Sequence, residues 1–227
     1  LLFEDRTVAV RDGRFSDRFA PHGVHVYATT AALPAPLVPV PAAAEELSGE
    51  SLRQDVEDRR DLTLYEGRAT WIWYPGHSGQ ADSSCCLRRV FTVPADLTEA
   101  VLTVAGDDEF ALSINGEALP LPSGGWSRAA RVDIASRLRP GRAVLAVSAK
   151  DGGAAPCGFL LEMVMAQADG TTTTLTSDAS WRAALAPVPG WDGPDFDDGE
   201  WPAAEVVAPY GGGAWGRRVM VRPSRLE

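Results

Sequence analysis

The chain has 227 residues, enough for one sizeable domain with appendages and a hydrophobic core of its own. Charged residues make up 23% and hydrophobic ones 45%, a globular balance that excludes wholesale disorder. A formal net charge of -10, with no stripe of Lys or Arg, argues against nucleic acid and anionic membranes as partners and suits a neutral ligand such as a glycan, or a bound cation.

No apolar run is long enough to span a bilayer. The chain opens abruptly at Leu1-Leu2-Phe3-Glu4-Asp5, with no initiator Met, basic leader or cleavage site, so it is expected to be a fragment or a processed chain. The three cysteines, Cys85, Cys86 and Cys157, are odd in number and few for this length, so disulfides are not the main framework. One bridge from Cys157 to Cys85 or Cys86, or three buried free thiols, both fit. No CxxC or Cys/His spacing supports a zinc site.

In chain order, residues 1–30 are expected to be terminal strands of a preceding β domain. Thr7 to Arg11 is β-prone, Asp12-Gly13 is a turn signal, and Gly23 to Tyr27 alternates. His22 and His25 are three apart, which on a strand turns them to opposite faces and away from a shared metal. Prolines then recur every two or three residues through 31–41, a semi-rigid extended linker. Residues 42–60 are rich in Ala, Glu, Leu and Arg and predict one short helix, so 31–65 form a linker segment.

From Glu66 onward the chain reads as β. Short apolar or alternating runs cover 69–74, 86–93, 100–105, 110–114, 130–134, 143–149, 158–167 and 172–176. Asn115-Gly116, Pro140-Gly141, Asp151-Gly152-Gly153 and Asp169-Gly170 are the turns between them. Many short strands without a long amphipathic helix predict an all-β antiparallel sandwich over 66–218, with a tail at 219–227. The segment from Pro187 to Gly216, rich in Trp, Gly, Asp and Pro, is expected to wrap the sandwich as ordered loops with one or two short strands.

Several segments occur in a telling order. Trp71-Ile72-Trp73 opens the first strand, and Leu87 to Pro94 is a basic-basic-apolar-Phe strand ending in Pro. Ala105 to Glu117 holds an acidic pair, a strand and an Asn-Gly turn. Val132 to Val147, Asp178 to Arg182 and Gly190 to Trp201 complete the set. Together these segments, from about Thr70 to Gly216, resemble the galactose-binding-like jelly-roll domains that accompany bacterial α-L-rhamnosidases and other multidomain glycoside hydrolases. The resemblance implies a jelly-roll accessory domain, often sugar-binding, sometimes with a structural calcium ion, and an extracellular or periplasmic location. Residues 1–28 resemble the closing strands of a β-sandwich that often follows a glycosidase barrel, which would place the catalytic machinery upstream.

The candidate site residues are each open to two readings. Asp107 and Asp108 end a strand at a loop, where carboxylates suit Ca²⁺ or a sugar hydroxyl, or else cap a turn. Asn115 is explained by its tight turn, with sugar contact as the alternative. Trp126, in the flexible run Pro122 to Arg128, is the best aromatic platform for a pyranose among seven tryptophans, with a loop anchor as the bland alternative. His77, in the Pro75 to Gly79 loop, is a ligand contact or a plain surface histidine. Asp192, Asp195, Asp197 and Asp198 read as turn caps that lock the C-terminal wrap, since their spacing does not match an EF-hand loop.

No nucleophile elbow, phosphate loop or zinc motif appears, so the fragment is expected to be non-catalytic and to need no cofactor beyond, at most, a structural calcium ion. The expected function is carbohydrate binding as an accessory module of a larger secreted glycoside hydrolase, the partners being a carbohydrate and the parent's catalytic domain. The alternatives are a purely structural domain that braces that catalytic domain, and a small glycosidase or lyase, which would need two convergent carboxylates in a cleft.

Overall fold

The structure is a computed structural model that describes residues 62–153 and 156–223. The strands expected within 1–30 with their histidine pair, the proline-rich run and the short helix of 42–60 lie outside the described residues.

Among the described residues the chain forms β1 (Thr63–Leu64), β2 (Thr70–Trp73), β3 (Ser84–Val93), β4 (Leu97–Asp107), β5 (Glu109–Ile114), β6 (Glu117–Leu119), β7 (Arg128–Asp133), β8 (Gly141–Lys150), β9 (Gly158–Gln167), β10 (Thr172–Thr176), β11 (Arg182–Ala184), β12 (Glu205–Pro209) and β13 (Met220–Pro223). The only helical piece among them is a single 3-10 turn at Ala135–Arg137. All eight runs picked out by alternation are strands, shifted by at most three residues at an end.

The strands make two sheets. The larger runs β1-β13-β7-β4-β9-β2-β12, with β10 also on β9; the smaller runs β11-β3-β8-β5-β6. The protein is an all-β sandwich. Its ladders are antiparallel except β13 on β7, which is parallel. The segment expected as a tail therefore contributes Met220–Pro223 to the larger sheet. Parallel pairing joins segments far apart in the chain, so no local turn signal announces it.

Side-chain alternation assigns the faces. Leu102 and Val104 of β4, Phe159 and Leu161 of β9, Leu87 of β3 and Leu145 and Val147 of β8 meet in the core between the sheets. The intervening residues point outward. On the larger sheet Ala105, Ala129, Leu160 and Trp71 form a second apolar cluster, covered by Tyr65, Trp215, Val219 and Val221. Each large apolar side chain so covered contributes roughly 1.5–3 kcal/mol. On the smaller sheet Arg88 stands on the outer face and meets the segment 191–198.

Trp71 and Trp73, two apart on β2, are both fully buried but do not share a cluster. Trp73 sits in the inter-sheet core with its indole N–H donating to Ser83 Oγ at 3.0 Å. Trp71 sits in the outer cluster. The pairing of β2 with β12 shifts register between Val206 and Ala208, opposite Ile72 and Trp71, and such a bulge locally breaks strict alternation.

All three cysteines are buried free thiols. Burial pushes Cys86 up to about 11, and burial with help from Asp151 pushes Cys157 up to about 12. Burial pushes Cys85 higher still. The thiolate, the reactive form, is therefore scarce at all three.

Candidate functional site

Three turns and one strap meet at one end of the sandwich. β4 ends at Asp107, Asp108 leads into β5, Asp151 follows β8, and Trp126 comes from the loop before β7. Trp215 comes from the segment between β12 and β13. Asp107, Asp108, Trp126, Asp151, Gly153, Pro156, Ala214 and Trp215 line an open cleft of about 330 Å³. That volume is at the small end of the range for small-molecule sites.

Each carboxylate is held differently. The backbone N–H of Asp108 donates to Lys150 O at 2.9 Å, extending the β5–β8 ladder, and its Oδ2 accepts Gly152 N–H at 3.2 Å. Asp107 Oδ2 accepts the Trp215 indole N–H at 2.8 Å. Burial raises the Asp107 carboxyl to about 6; the Trp215 hydrogen bond opposes the rise, and the neighbouring Asp151 and Asp108 charges add to it.

Asp151 is almost completely buried. Its backbone N–H donates to Ser83 O at 2.9 Å and its Oδ1 accepts Gly153 N–H at 2.6 Å. Its Oδ2 has no hydrogen-bond donor. The neighbouring Cys157 thiol lies 3.2 Å from Gln80 O, and Asp151 stands close enough to it to raise its pKa. A buried carboxylate oxygen without a partner is costly, so the group belongs to a site whose ligand completes it or to a strained structural position.

Trp126 is half-buried, and the Arg218 guanidinium lies 5.0 Å from its ring centroid. The same guanidinium group donates to Trp215 O at 3.1 Å and to Ala214 O at 2.5 Å. Trp215 itself is buried and stacks on Trp71, centroids 4.4 Å apart with planes at 20°.

The structure thus brings Asp107, Asp108 and Trp126 together, and adds Asp151 and Trp215. Asn115 lies elsewhere. It adopts φ +51° at the β5–β6 turn, and its Oδ1 accepts Val144 N–H at 2.9 Å, so it ties the turn to β8. It lines a separate hollow with Arg137 and Arg139. His77 does not line the cleft; its ring meets Tyr74 edge-on at 5.0 Å. Asp151 had been visible only as part of a turn, and Trp215 only as one of seven tryptophans beside a glycine run. Among the described residues, no group of three or more His, Cys, Asp or Glu is arranged as a ready metal centre.

The Asp198 carboxylate pairs with Arg88 and Asp197 Oδ1 accepts Gly199 N–H at 3.0 Å. These two acids therefore hold the C-terminal wrap together.

No family model matches the chain. Over 160 residues it is 36% identical to an α-L-rhamnosidase of Streptomyces avermitilis, a match that covers 66% of this chain and 15% of that protein. The crystal structure of Streptomyces avermitilis α-L-rhamnosidase complexed with L-rhamnose superposes with a TM-score of 0.64 and 33% identity, over 69% of this chain and 16% of that one. A rhamnosidase of Bacillus sp. GL1 gives a TM-score of 0.59 at 25% identity, over 71% of this chain and 20% of that one. A Pleurotus ostreatus lectin in complex with GalNAc shares the fold, with a TM-score of 0.59 at 24% identity over 70% of this chain and 50% of that one. The chain is homologous to a small β part of a bacterial α-L-rhamnosidase, the relation that the ordered segments from Trp71 to Trp201 had suggested.

Proposed function

We propose that this domain is a non-catalytic accessory module of a larger exported glycoside hydrolase, of galactose-binding-like jelly-roll type, and that it binds a neutral sugar in the cleft of Asp107, Asp108, Trp126, Asp151 and Trp215. The observation that carries this reading is the buried, unserved Oδ2 of Asp151 beside two further carboxylates and an aromatic edge. Sugar hydroxyls donate hydrogen bonds to carboxylates, and the C–H face of a pyranose packs on an indole.

For the calcium ion implied by the resemblance, Asp107 and Asp108 would be the acidic ligands, since carboxylate oxygens suit a hard cation; the described residues hold no group of three acids arranged as a ready centre for it. When bound, it would offset the charge of these acids and supply a Lewis-acidic centre for hydroxyl oxygens.

The test is a glycan array followed by calorimetry on the 227-residue chain, once with Ca²⁺ and once with chelator. L-rhamnose and GalNAc come first, because a similar enzyme and a similar lectin are known in complex with them. Binding to a defined sugar supports the reading, and its loss with chelator puts a cation in the site. No binding in either condition overturns it in favour of the second reading, a brace for the parent's catalytic domain. The observation behind that second reading is an open hollow of about 390 Å³ on the outer face of the larger sheet, where Leu64, Val101, Val164 and Val221 are interspersed with Glu66, Arg131 and Glu162, a mixed surface that a neighbouring domain could cover.

A further inference from the structure

The segment from Gly211 to Val219 crosses the outer face of the larger sheet between β12 and β13 and reaches two cleft groups that are far away in sequence. Trp215 is inserted edge-first: its ring packs on Trp71 while its Nε1–H is directed at Asp107 Oδ2, 108 positions back. The stack has been given room. A Cβ on Gly158, opposite Asp107 in the β4–β9 ladder, would stand 2.7 Å from Trp215 Cζ2 and 3.0 Å from Trp71 Cε3. Only a glycine lets both indoles lie against the end of β9.

Arg218 performs the matching task on the other side of the cleft. Its guanidinium ties down the carbonyls of Ala214 and Trp215 and lies over Trp126. One face of Trp126 is thereby occupied by protein, so the ring can offer a ligand only its remaining face or edge. Cation–π pairing also fixes the ring plane, which otherwise hangs from a Gly-Gly loop.

We infer that Trp215 and Arg218 are positioning residues for the cleft, one acting through Asp107 and the other through Trp126. This rests on the sugar-binding reading of the same cleft. Trp215 orients the carboxylate with a single hydrogen bond at 2.8 Å, and Arg218 sets the plane of the aromatic platform. Ligand groups held by preordered partners lose less freedom on binding, so loosening either one weakens affinity, and Arg218, which does not line the cleft, does so without removing a direct contact.

The experiment titrates L-rhamnose, in the presence of Ca²⁺, into the wild-type 227-residue chain and into Trp215→Phe and Arg218→Met. Phenylalanine keeps an aromatic on Trp71 and removes the donor to Asp107; methionine keeps an apolar stem and removes the guanidinium. Each variant is expected to bind roughly tenfold more weakly, the loss of about one hydrogen bond. Arg218→Lys, which keeps the charge without the planar fork, should not restore affinity. A second readout is the indole N–H resonance of Trp215, assigned by its disappearance in Trp215→Phe. It should move when Asp107 is changed to Asn and again when L-rhamnose saturates the wild-type chain.

Wild-type affinity in both variants overturns the inference and leaves the sugar-binding reading standing. So does an indole resonance that stays fixed while sugar binds. Failure of the wild-type chain to bind overturns both. If Trp215→Phe loses its fold, Arg218→Met decides the matter.

Discussion

Two regions of the sandwich bury ionisable groups, and they treat them oppositely. On the smaller sheet Arg88 is fully buried, and its guanidinium donates to the carbonyls of Trp191, Gly193 and Phe196 and pairs with Asp198. It also lies 5.4 Å from the Phe196 ring centroid. Its donors are spent on one loop, which is thereby locked onto β3. Just past the end of β8, in the same sheet, Asp151 is almost equally buried, yet one of its carboxylate oxygens has no donor and the residue lines a cleft with two other acids. A charge whose hydrogen bonds are filled by the chain stabilises the fold; one left partly unfilled costs stability and is available to a ligand.

The largest effect should come from emptying the filled site. Arg88→Met leaves Asp198 and three carbonyls without their partner and should cost about 3–5 kcal/mol in denaturant unfolding, as expected for breaking a buried pair. If the variant still folds, sugar affinity should be unchanged, because Arg88 does not line the cleft. A cost below about 1 kcal/mol would show that the lock is dispensable.

Gly158→Ala tests the packing beneath the cleft. The added methyl meets both stacked indoles, and overpacking of this kind costs about 1–3 kcal/mol. Thermal unfolding should occur at lower temperature and sugar binding should weaken together with it. An alanine variant of wild-type stability would mean that Trp215 can withdraw freely.

Asp151→Asn sharpens the contrast by its sign. The substitution keeps the acceptor for Gly153 N–H and removes a buried charge that lacks a full set of partners. Stability without ligand should stay level or rise by up to about 1 kcal/mol, while sugar binding is lost. Destabilisation without loss of binding would make Asp151 a structural group like Arg88.

The smallest effect is in pH. Asp107 is raised to about 6 in the folded chain, so between the ordinary carboxylate value and about 6 the folded state holds more proton than the unfolded one. Its contribution to stability is therefore complete at low pH and fades as pH rises through about 6. The carboxyl is half-exposed, so screening holds the effect to about 1 kcal/mol or less. In chelator, stability followed from pH 4 to pH 7 should contain this component, and Asp107→Asn should remove it.

The acidic pair at Asp107-Asp108 and the tryptophan in a glycine-rich loop were legible as candidate ligand groups because their residue types and loop positions carry a signal. Asp151 looked like any Asp-Gly-Gly turn, and Trp215 was only one of seven tryptophans. What distinguishes them is contact across 44 positions between Asp108 and Gly152, and across 108 between Trp215 and Asp107. Asn115 shows the converse: a residue type suited to sugars whose oxygen is already used by Val144 N–H.

By itself the sequence determined the all-β class, the eight principal strands and the Asn115-Gly116 turn. These depend on a side-chain period of two and on backbone preferences, which are properties of neighbouring residues. Only the tertiary structure decided which turns converge on the cleft, that β13 joins the larger sheet in parallel, and which faces the C-terminal wrap covers. Those outcomes follow from strand order and long-range packing, where segments a hundred residues apart compete for the same surface and no local pattern records the winner.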